Sequence, residues 1–359
     1  MRAIPKYEKV RENIREQISD GRLQPNDKLP SEEEYAKLYG VSTITIRRAL
    51  ADLVAEGRIT RTKSKGTFVR GAGEEPPSSK LVALLLAPED GHDVSYMQII
   101  KGAQKIMADN DYSLIVEWGD KRLDSERAAI LRMIDRKVDG LLLYPFNPTL
   151  SQENYRLLRE TSIPYVQIDR YDIEAPGHFV GCNNFEGGVM ATRNLLELGH
   201  RAIHFVAYRF FLSSELERYD GYCSAMRQAG VQLNAGHLLS VVDYDLLADR
   251  IRAGEITALF CCNDRLAMEV IEELLRRGVR VPQDVSIVGF DDWASNASSP
   301  VPLTTVRQNF HEIGQMAAHL LVSVINNTVQ SNNIKVLTSV SLVQRGSVAP
   351  PPVAPSEDE

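Results

Sequence analysis

Residues 26–69, NDKLPSEEEYAKLYGVSTITIRRALADLVAEGRITRTKSKGTFV, carry hydroxyls and cations at spacings suited to gripping phosphates and base edges. Ser31 precedes EEE, so its hydroxyl can cap a helix while Glu34 reaches back to form a capping box. Gly40 closes that helix, and Ser42 is placed to cap the next. On the second helix Ile46, Ala49, Leu50 and Leu53 share one face, leaving Ile44, Arg47, Arg48 and Ala51 outward. Gly57 stops this helix, residues 59–61 extend, KSKG turns, and residues 67–69 return, the pattern of a two-stranded wing. A helix of this size fits the major groove of duplex DNA, where cations at its exposed start meet phosphates or guanine edges.

Charge is divided in the same way. The 359-residue chain has a formal net charge of -7. Residues 1–70 hold 15 Lys and Arg against 10 Asp and Glu, a net of +5, so the remainder carries -12. A basic module on an acidic body suits a molecule that meets phosphate at one end only. The longest apolar run, LVALLLA (81–87), is far short of a membrane span, and the N-terminus lacks the apolar run of a secretory signal. Cys182, Cys223, Cys261 and Cys262 lack zinc or redox spacing, and ALFCC reads as core. A cytoplasmic location is expected, with no membrane association and no metal or other cofactor. Catalysis is not expected either: there is no G-x-S-x-G elbow, H-E-x-x-H helix or P-loop, and Asp291-Asp292 has no His nearby in sequence.

The length suits a small module and a larger one. Residues 71–80, GAGEEPPSSK, read as a linker, and the Pro-rich, acidic-ended stretch 347–359 as a disordered tail. Between them LVALLLA, YSLIVE, DGLLLYP, PYVQID, AIHFVA, TALFCC and VSIVGF read as buried strands. Segments such as 97–108, 125–136, 186–198, 217–229, 246–253 and 265–277 read as helices. That alternation predicts an α/β body of parallel sheet with helices on both faces. Ligands of such folds sit beyond the carboxyl ends of strands. Here those ends are PED (88–90), residues 145–147, 169–171, Asn263-Asp264 and Asp291-Asp292.

With these motifs assembled, residues 5–70 resemble the winged helix-turn-helix of the GntR family, through SDGRLQPNDKLPSEEEYAKLYGVS, TIRRAL, LVAEGRI and KGTFV. Residues 81–346 resemble the two-lobed, periplasmic-binding-protein-like body of the LacI/GalR regulators. The motifs are LLELGHRAIHFVA, ERYDGYCSAM, ALFCCNDRLAMEVIEEL, RRGVRVPQDVSIVGFDD, PLTTVRQNFHEIGQMAA and VQRGS. The resemblance implies a dimeric transcription factor, most simply a repressor, that binds a palindromic DNA operator and responds to a small molecule. A sugar such as a pentose is the first expectation; a purine or other metabolite acting as co-repressor is the alternative.

On the head, the family pattern carries over to Glu32, Ser42, Thr43, Thr45, Arg47, Arg48 and the wing residues Lys65, Gly66 and Thr67. Thr43 stands where the family often has a DNA-contacting Arg, so the operator sequence does not transfer. Arg47 suits a bidentate contact to guanine or phosphate, Thr45 a phosphate or methyl contact, and Glu32 a cytosine amino group. Glu32 also reads as a helix-start carboxylate, and Arg48 as a phosphate clamp or solvated cation. In the body, Arg218, Asn263, Asp291 and Asp169 match positions that hold ligand hydroxyls, and Tyr244 one that presents an aromatic ring. Tyr96 and Phe146 sit at strand-to-helix junctions facing the expected cleft. The structural alternatives are an N-cap for Asp264, a turn brace for Asp291, and a surface pairing with Glu215 or Glu217 for Arg218. His200 reads as a structural tie before a strand, and Trp293 as packing at the cleft rim. Asn183 stands where many LacI-type chains carry Asp.

Overall fold

The computed structural model describes residues 5–55, 57–62, 66–70, 78–86, 95–119, 122–147, 151–161, 163–172, 177–208, 212–240, 243–293, 300–329, 331 and 333–352. The chain divides into two compact units, 1–78 and 79–359. The first comprises α1 (Lys6–Ser19), α2 (Glu32–Tyr39), α3 (Thr43–Ala55), β1 (Ile59–Thr62) and β2 (Gly66–Val69). The capping box at Ser31 and Glu34 forms, and Gly40 ends α2 in the left-handed region at φ 61°. Ile46, Ala49, Leu50 and Leu53 are buried together with Val10, Ile14, Leu29, Tyr35, Ile59 and Val69. β1 and β2 pair antiparallel with Ile59 opposite Val69, which turns both of these side chains into that core.

The second unit is a two-lobed α/β body. Its elements are β3 (Leu81–Leu86), α4 (Ser95–Asp109), β4 (Ser113–Trp118), α5 (Leu123–Asp135), β5 (Gly140–Tyr144), α6 (Gln152–Thr161), β6 (Tyr165–Ile168), β7 (His178–Cys182), α7 (Asn184–Glu197), β8 (Ile203–Val206), α8 (Ser213–Gln228), β9 (Leu238–Leu239), α9 (Tyr244–Arg252), β10 (Ala258–Cys261), α10 (Asp264–Arg276), β11 (Ser286–Asp291), β12 (Thr304–Gln308), α11 (Phe310–Ile325), β13 (Lys335–Thr338) and β14 (Val340–Val343). One sheet has the order β13-β7-β6-β5-β3-β4 and is parallel throughout. The other, β14-β12-β11-β10-β8-β9, is parallel except for the edge strand β14. Strands buried on both faces explain the unbroken apolar runs of the sequence. The chain passes between lobes after β7, after β12 and between β13 and β14. Asn183 and Asn309 cap the helices at the first two passages, and Ser339 alone separates the strands at the third.

Glycines set the closest helix packing. A Cβ on Gly102 of α4 would lie 2.1 Å from the His311 carbonyl oxygen, and one on Gly314 of α11 would lie 2.3 Å from that of Ile99. The second lobe repeats the device: a Cβ on Gly188 of α7 would meet the Arg218 carbonyl at 2.2 Å, and one on Gly221 of α8 that of Phe185 at 2.2 Å. Only hydrogen at these positions lets the backbones approach so closely.

Two expectations about the chain's connecting segments change. Residues 79 and 80 are not linker: the Asp139 carboxylate accepts from both backbone N–H groups and from the Ser79 hydroxyl. Residues 347–352 are not a disordered tail. Ser347 is fully buried, its hydroxyl donating to the Ile287 carbonyl at 2.6 Å and accepting from the Thr304 N–H at 2.8 Å. His200 ties the same stretch, its ring bonding Thr257, Ser286 and the Ala349 carbonyl at 3.0, 3.1 and 2.8 Å. Residues 71–77 and 353–359 lie outside the described residues.

Gly314→Ala should destabilise the body by roughly 1–3 kcal/mol through overpacking, read as a lower thermal midpoint; an unchanged midpoint would contradict the crossing geometry. Buried His204 gives a pH dependence. Burial first, then Arg250 and His237, lower its pKa from 6.5 to about 4. The unfolded chain therefore binds more protons between those values. Stability is full above pH ~6.5 and declines as pH falls toward 4, by at most ~3 kcal/mol from this group. Urea midpoints measured across that range should shift downward on acidification.

Candidate functional site

The exposed face of α3 begins at a cap. Ser42 Oγ accepts from the Thr45 N–H at 3.3 Å and bonds the Thr45 hydroxyl at 2.8 Å, so Ser42 and Thr45 are committed to each other. Thr43 is half-buried. Arg47 is exposed and binds one Glu32 oxygen through Nε at 3.0 Å and Nη2 at 2.9 Å. The other Glu32 oxygen accepts from Arg61 of β1. These guanidiniums, Arg47's hydrogen bond foremost, hold the Glu32 carboxyl below the usual range against its partial burial. Both carboxylate oxygens thus meet guanidiniums of the protein itself. Glu32 links the recognition helix to the wing. Arg48 is exposed and lays its guanidinium over the Tyr7 ring at 3.9 Å. Gly66 begins β2 with φ 120° and a Cβ there would press on the Lys28 side chain, a position suited to glycine. Thr67, expected at the wing surface, is buried beside the core because β2 turns it inward. Lys65 lies outside the described residues.

A second site is a cleft at the carboxyl ends of both sheets of the body. Tyr96, Tyr144, Asp169 and Arg170 line it from the first lobe. Leu212, Ser214, Glu215, Arg218, Asn263, Arg265, Asp291 and Trp293 come from the second, with Gln308 and Phe310 from the passage between them. Five of the expected residues, Tyr96, Asp169, Arg218, Asn263 and Asp291, therefore meet in one space. Its PED strand end (88–90) lies outside the described residues.

Arg218 is buried, and each of its three nitrogens has a protein partner. Nε donates to Asn184 Oδ1 at 2.8 Å, Nη1 to the Cys262 carbonyl at 2.6 Å, and Nη2 pairs with Asp291 at 3.2 Å. The guanidinium lies 3.7 Å from the Phe290 ring centroid. Burial works against its charge, but the negative charge of Asp291 favours the protonated guanidinium and its pKa rises. Surface pairing with Glu215 or Glu217 is not what Arg218 does. Burial also raises the Asp291 carboxyl well above its ordinary range; Arg218 opposes this, while Asp264 and Asp169 add to it. Gln308 Nε2 donates to Asp291 at 2.7 Å, and Gln308 Oε1 is buried at the cleft without a partner among the described residues. In the first lobe Tyr144 donates to Asp169 at 2.9 Å, and Arg170 donates to Tyr144 at 3.1 Å and to the Phe146 carbonyl at 3.3 Å.

Backbone strain gathers here as well. Asp169, Asp291 and Asp292 adopt φ of 68°, 119° and 56°, unusual for residues with side chains. Asp264 braces the last two. Its carboxylate accepts from the Trp293 N–H at 2.7 Å and the Thr305 hydroxyl at 2.5 Å, and a Cβ on Gly289 would strike it.

Three expectations are displaced. Asn263, not Asp264, is the N-cap of α10, accepting from the Leu266 N–H at 2.9 Å; Asp264 is the first helical residue and turns inward. Tyr244 does not line the cleft. It opens α9, where its hydroxyl donates to Glu269 at 2.8 Å and Arg277 covers its ring. Phe146 does not line it either; its N–H donates to buried Glu126 at 2.9 Å, so it braces the loop that seats Arg170. Arg170 falls within the strand end 169–171 expected to face a ligand, and Glu215 had been read only as a surface partner of Arg218; Tyr144, Ser214, Arg265, Gln308 and Phe310 were not singled out from sequence. The signal for Gln308 was its place at the end of TTVRQ, read as motif and not as strand.

Among the described residues no helix is long and apolar enough to cross a membrane, and no cluster of three or more His, Cys, Asp and Glu could hold a metal ion. The family model of bacterial regulatory proteins of the gntR family matches residues 6–69, and that of periplasmic binding protein-like domains matches residues 192–348. The chain is 30% identical over 338 residues to an arabinose metabolism transcriptional repressor of Halalkalibacterium halodurans, covering 89% of each. A repressor of the same description from Geobacillus stearothermophilus is 29% identical over 341 residues, 90% of this chain and 92% of that one. Among solved structures, a complex of the transcriptional regulator CelR with cellobiose has a TM-score of 0.67 at 23% identity, over 89% of this chain and 100% of that one, a likeness of fold. The chain belongs to the transcriptional repressors that join a GntR-type winged helix-turn-helix to a LacI-type, periplasmic-binding-protein-like ligand-binding domain.

Proposed function

We propose that the cleft takes a neutral monosaccharide, a pentose in the first instance, and that its binding changes the affinity of a homodimer for a palindromic operator. The supporting observation is the charge and shape of the lining. Arg170, Arg218 and Arg265 face Asp169, Glu215 and Asp291, a balance that favours a neutral polyol over an anion. Tyr96, Tyr144, Trp293 and Phe310 offer aromatic surface for the apolar C–H faces of a sugar ring. The buried, unpartnered Gln308 Oε1 offers an acceptor for a hydroxyl. The descriptions of the two relatives as arabinose metabolism repressors support a pentose.

Because sugar contacts come from both lobes, a bound sugar stabilises whichever lobe arrangement brings them together. Operator affinity responds if the two arrangements hold the heads differently, and coupling of about 1–3 kcal/mol changes that affinity about 5–150-fold. On the head, Arg47 held by Glu32 is placed to reach guanine or phosphate, with Arg61 beside the wing.

Calorimetric titration of the full-length protein with pentoses, hexoses and nucleobases should find a sugar that binds; binding of a nucleobase alone would replace this reading with a co-repressor. Arg218→Lys keeps a cation beside Asp291, so the fold should survive while sugar affinity falls roughly tenfold or more, because an ammonium cannot reproduce the guanidinium fork. Operator affinity should drop more than about tenfold between 50 and 200 mM salt, as phosphate neutralisation requires. A flat salt response would contradict it.

A further inference from the structure

Ile44 is the second residue of α3 and is 74% exposed, an apolar β-branched side chain at the leading end of the helix. Burial in the module's own core does not account for it, since that core uses Ile46, Ala49, Leu50 and Leu53 on the opposite face. The polar groups around it are already turned to one another. Thr45 bonds Ser42, Arg47 bonds Glu32, and Arg48 covers Tyr7. What α3 presents at its start is therefore a hydrocarbon surface flanked by an exposed, oriented guanidinium. Base edges in the major groove are mostly polar, and their largest apolar feature is the C5-methyl of thymine.

We propose that Ile44 is a specificity-determining residue that reads the C5-methyl group of a thymine in each operator half-site. The inference rests on α3 being the recognition helix. Removing water from both the isoleucine and the methyl group favours T·A over the other base pairs at one position, while Arg47 reads a neighbouring guanine or phosphate. Ile44 and, on α2, Leu38 are the large apolar side chains most exposed on this module, too little surface to seat a protein partner.

The test begins with selection of duplexes from a random-sequence library by the full-length protein. Each half-site thymine is then replaced singly by uracil, which removes only the methyl group. At one position per half-site the replacement should weaken wild-type binding roughly threefold to tenfold. Ile44→Ala should bind the thymine duplex more weakly and be indifferent to uracil there, with Ile44→Val intermediate. Leu38→Ala, which alters an equally exposed apolar residue on α2 at 70% exposure, should keep the full thymine preference. Equal uracil penalties in wild type and Ile44→Ala, or no penalty at any position, would overturn the inference while leaving DNA binding intact. Loss of the preference in Leu38→Ala would overturn it in favour of a general apolar contact. Failure to select any duplex would overturn the DNA-binding reading with it.

Discussion

A guanidinium removed from water at the end of a parallel sheet stays there only if its donors and its charge are met, and Arg218 imposes that requirement on the body. Its partners come from different parts of the fold: Asn184 at the start of α7, the Cys262 carbonyl beyond β10, and Asp291 at the end of β11. Gly188 lets α7 lie against the backbone of Arg218 itself, so the crossing of two helices fixes where the cation stands. Asp291 meets it only by taking a left-handed backbone, which Asp264 braces from beneath through Trp293 and Thr305. Strain at β11, a small residue on α7 and a buried carboxylate on α10 follow from seating one cation. Removing Asp291 or Asn184 would leave a donor of the buried guanidinium stranded.

The winged module solves a different electrostatic problem with the same chemistry. Glu32 is one carboxylate between Arg47 of the helix and Arg61 of the wing, at the surface and accessible to solvent. Such pairs contribute little to stability. What Glu32 supplies is orientation, because one of its oxygens meeting both Nε and Nη2 fixes the direction of the Arg47 guanidinium. The body buries its cation for geometry, whereas the head keeps its cations exposed and merely aims them.

Much of this was legible in the sequence where one physical signal dominated. The face of Ile46, Ala49, Leu50 and Leu53 and the box of Ser31 and Glu34 stand in the structure as the spacing predicted, since a helix must bury one stripe and cap its first turn. Tyr96, Asp169, Arg218, Asn263 and Asp291 meet because parallel sheets place strand ends side by side, which needs no knowledge of distances. Contacts set by tertiary placement were hidden. Tyr244 follows a two-residue strand whose register no pattern marks, and its ring goes to Glu269 and Arg277. The capping role moved between Asn263 and Asp264 because a helix start shifted by one residue exchanges them. The packed residues 347–352 were read as loose from their prolines, although Ser347 and Ala349 complete hydrogen bonds that composition cannot reveal.

The two lobes share three threads, at Asn183, Asn309 and Ser339, and these run close together: the Asn183 N–H donates to the Thr338 carbonyl, while Asn309 and Ser339 line one groove. Doors hung on aligned pins swing but do not slide. With a single residue between β13 and β14 the third thread leaves little slack for sliding, so the connections favour rotation about that seam. The cleft begins at that seam, since Gln308 and Phe310 on either side of Asn309 line it, and at so short a radius a small displacement turns a whole lobe.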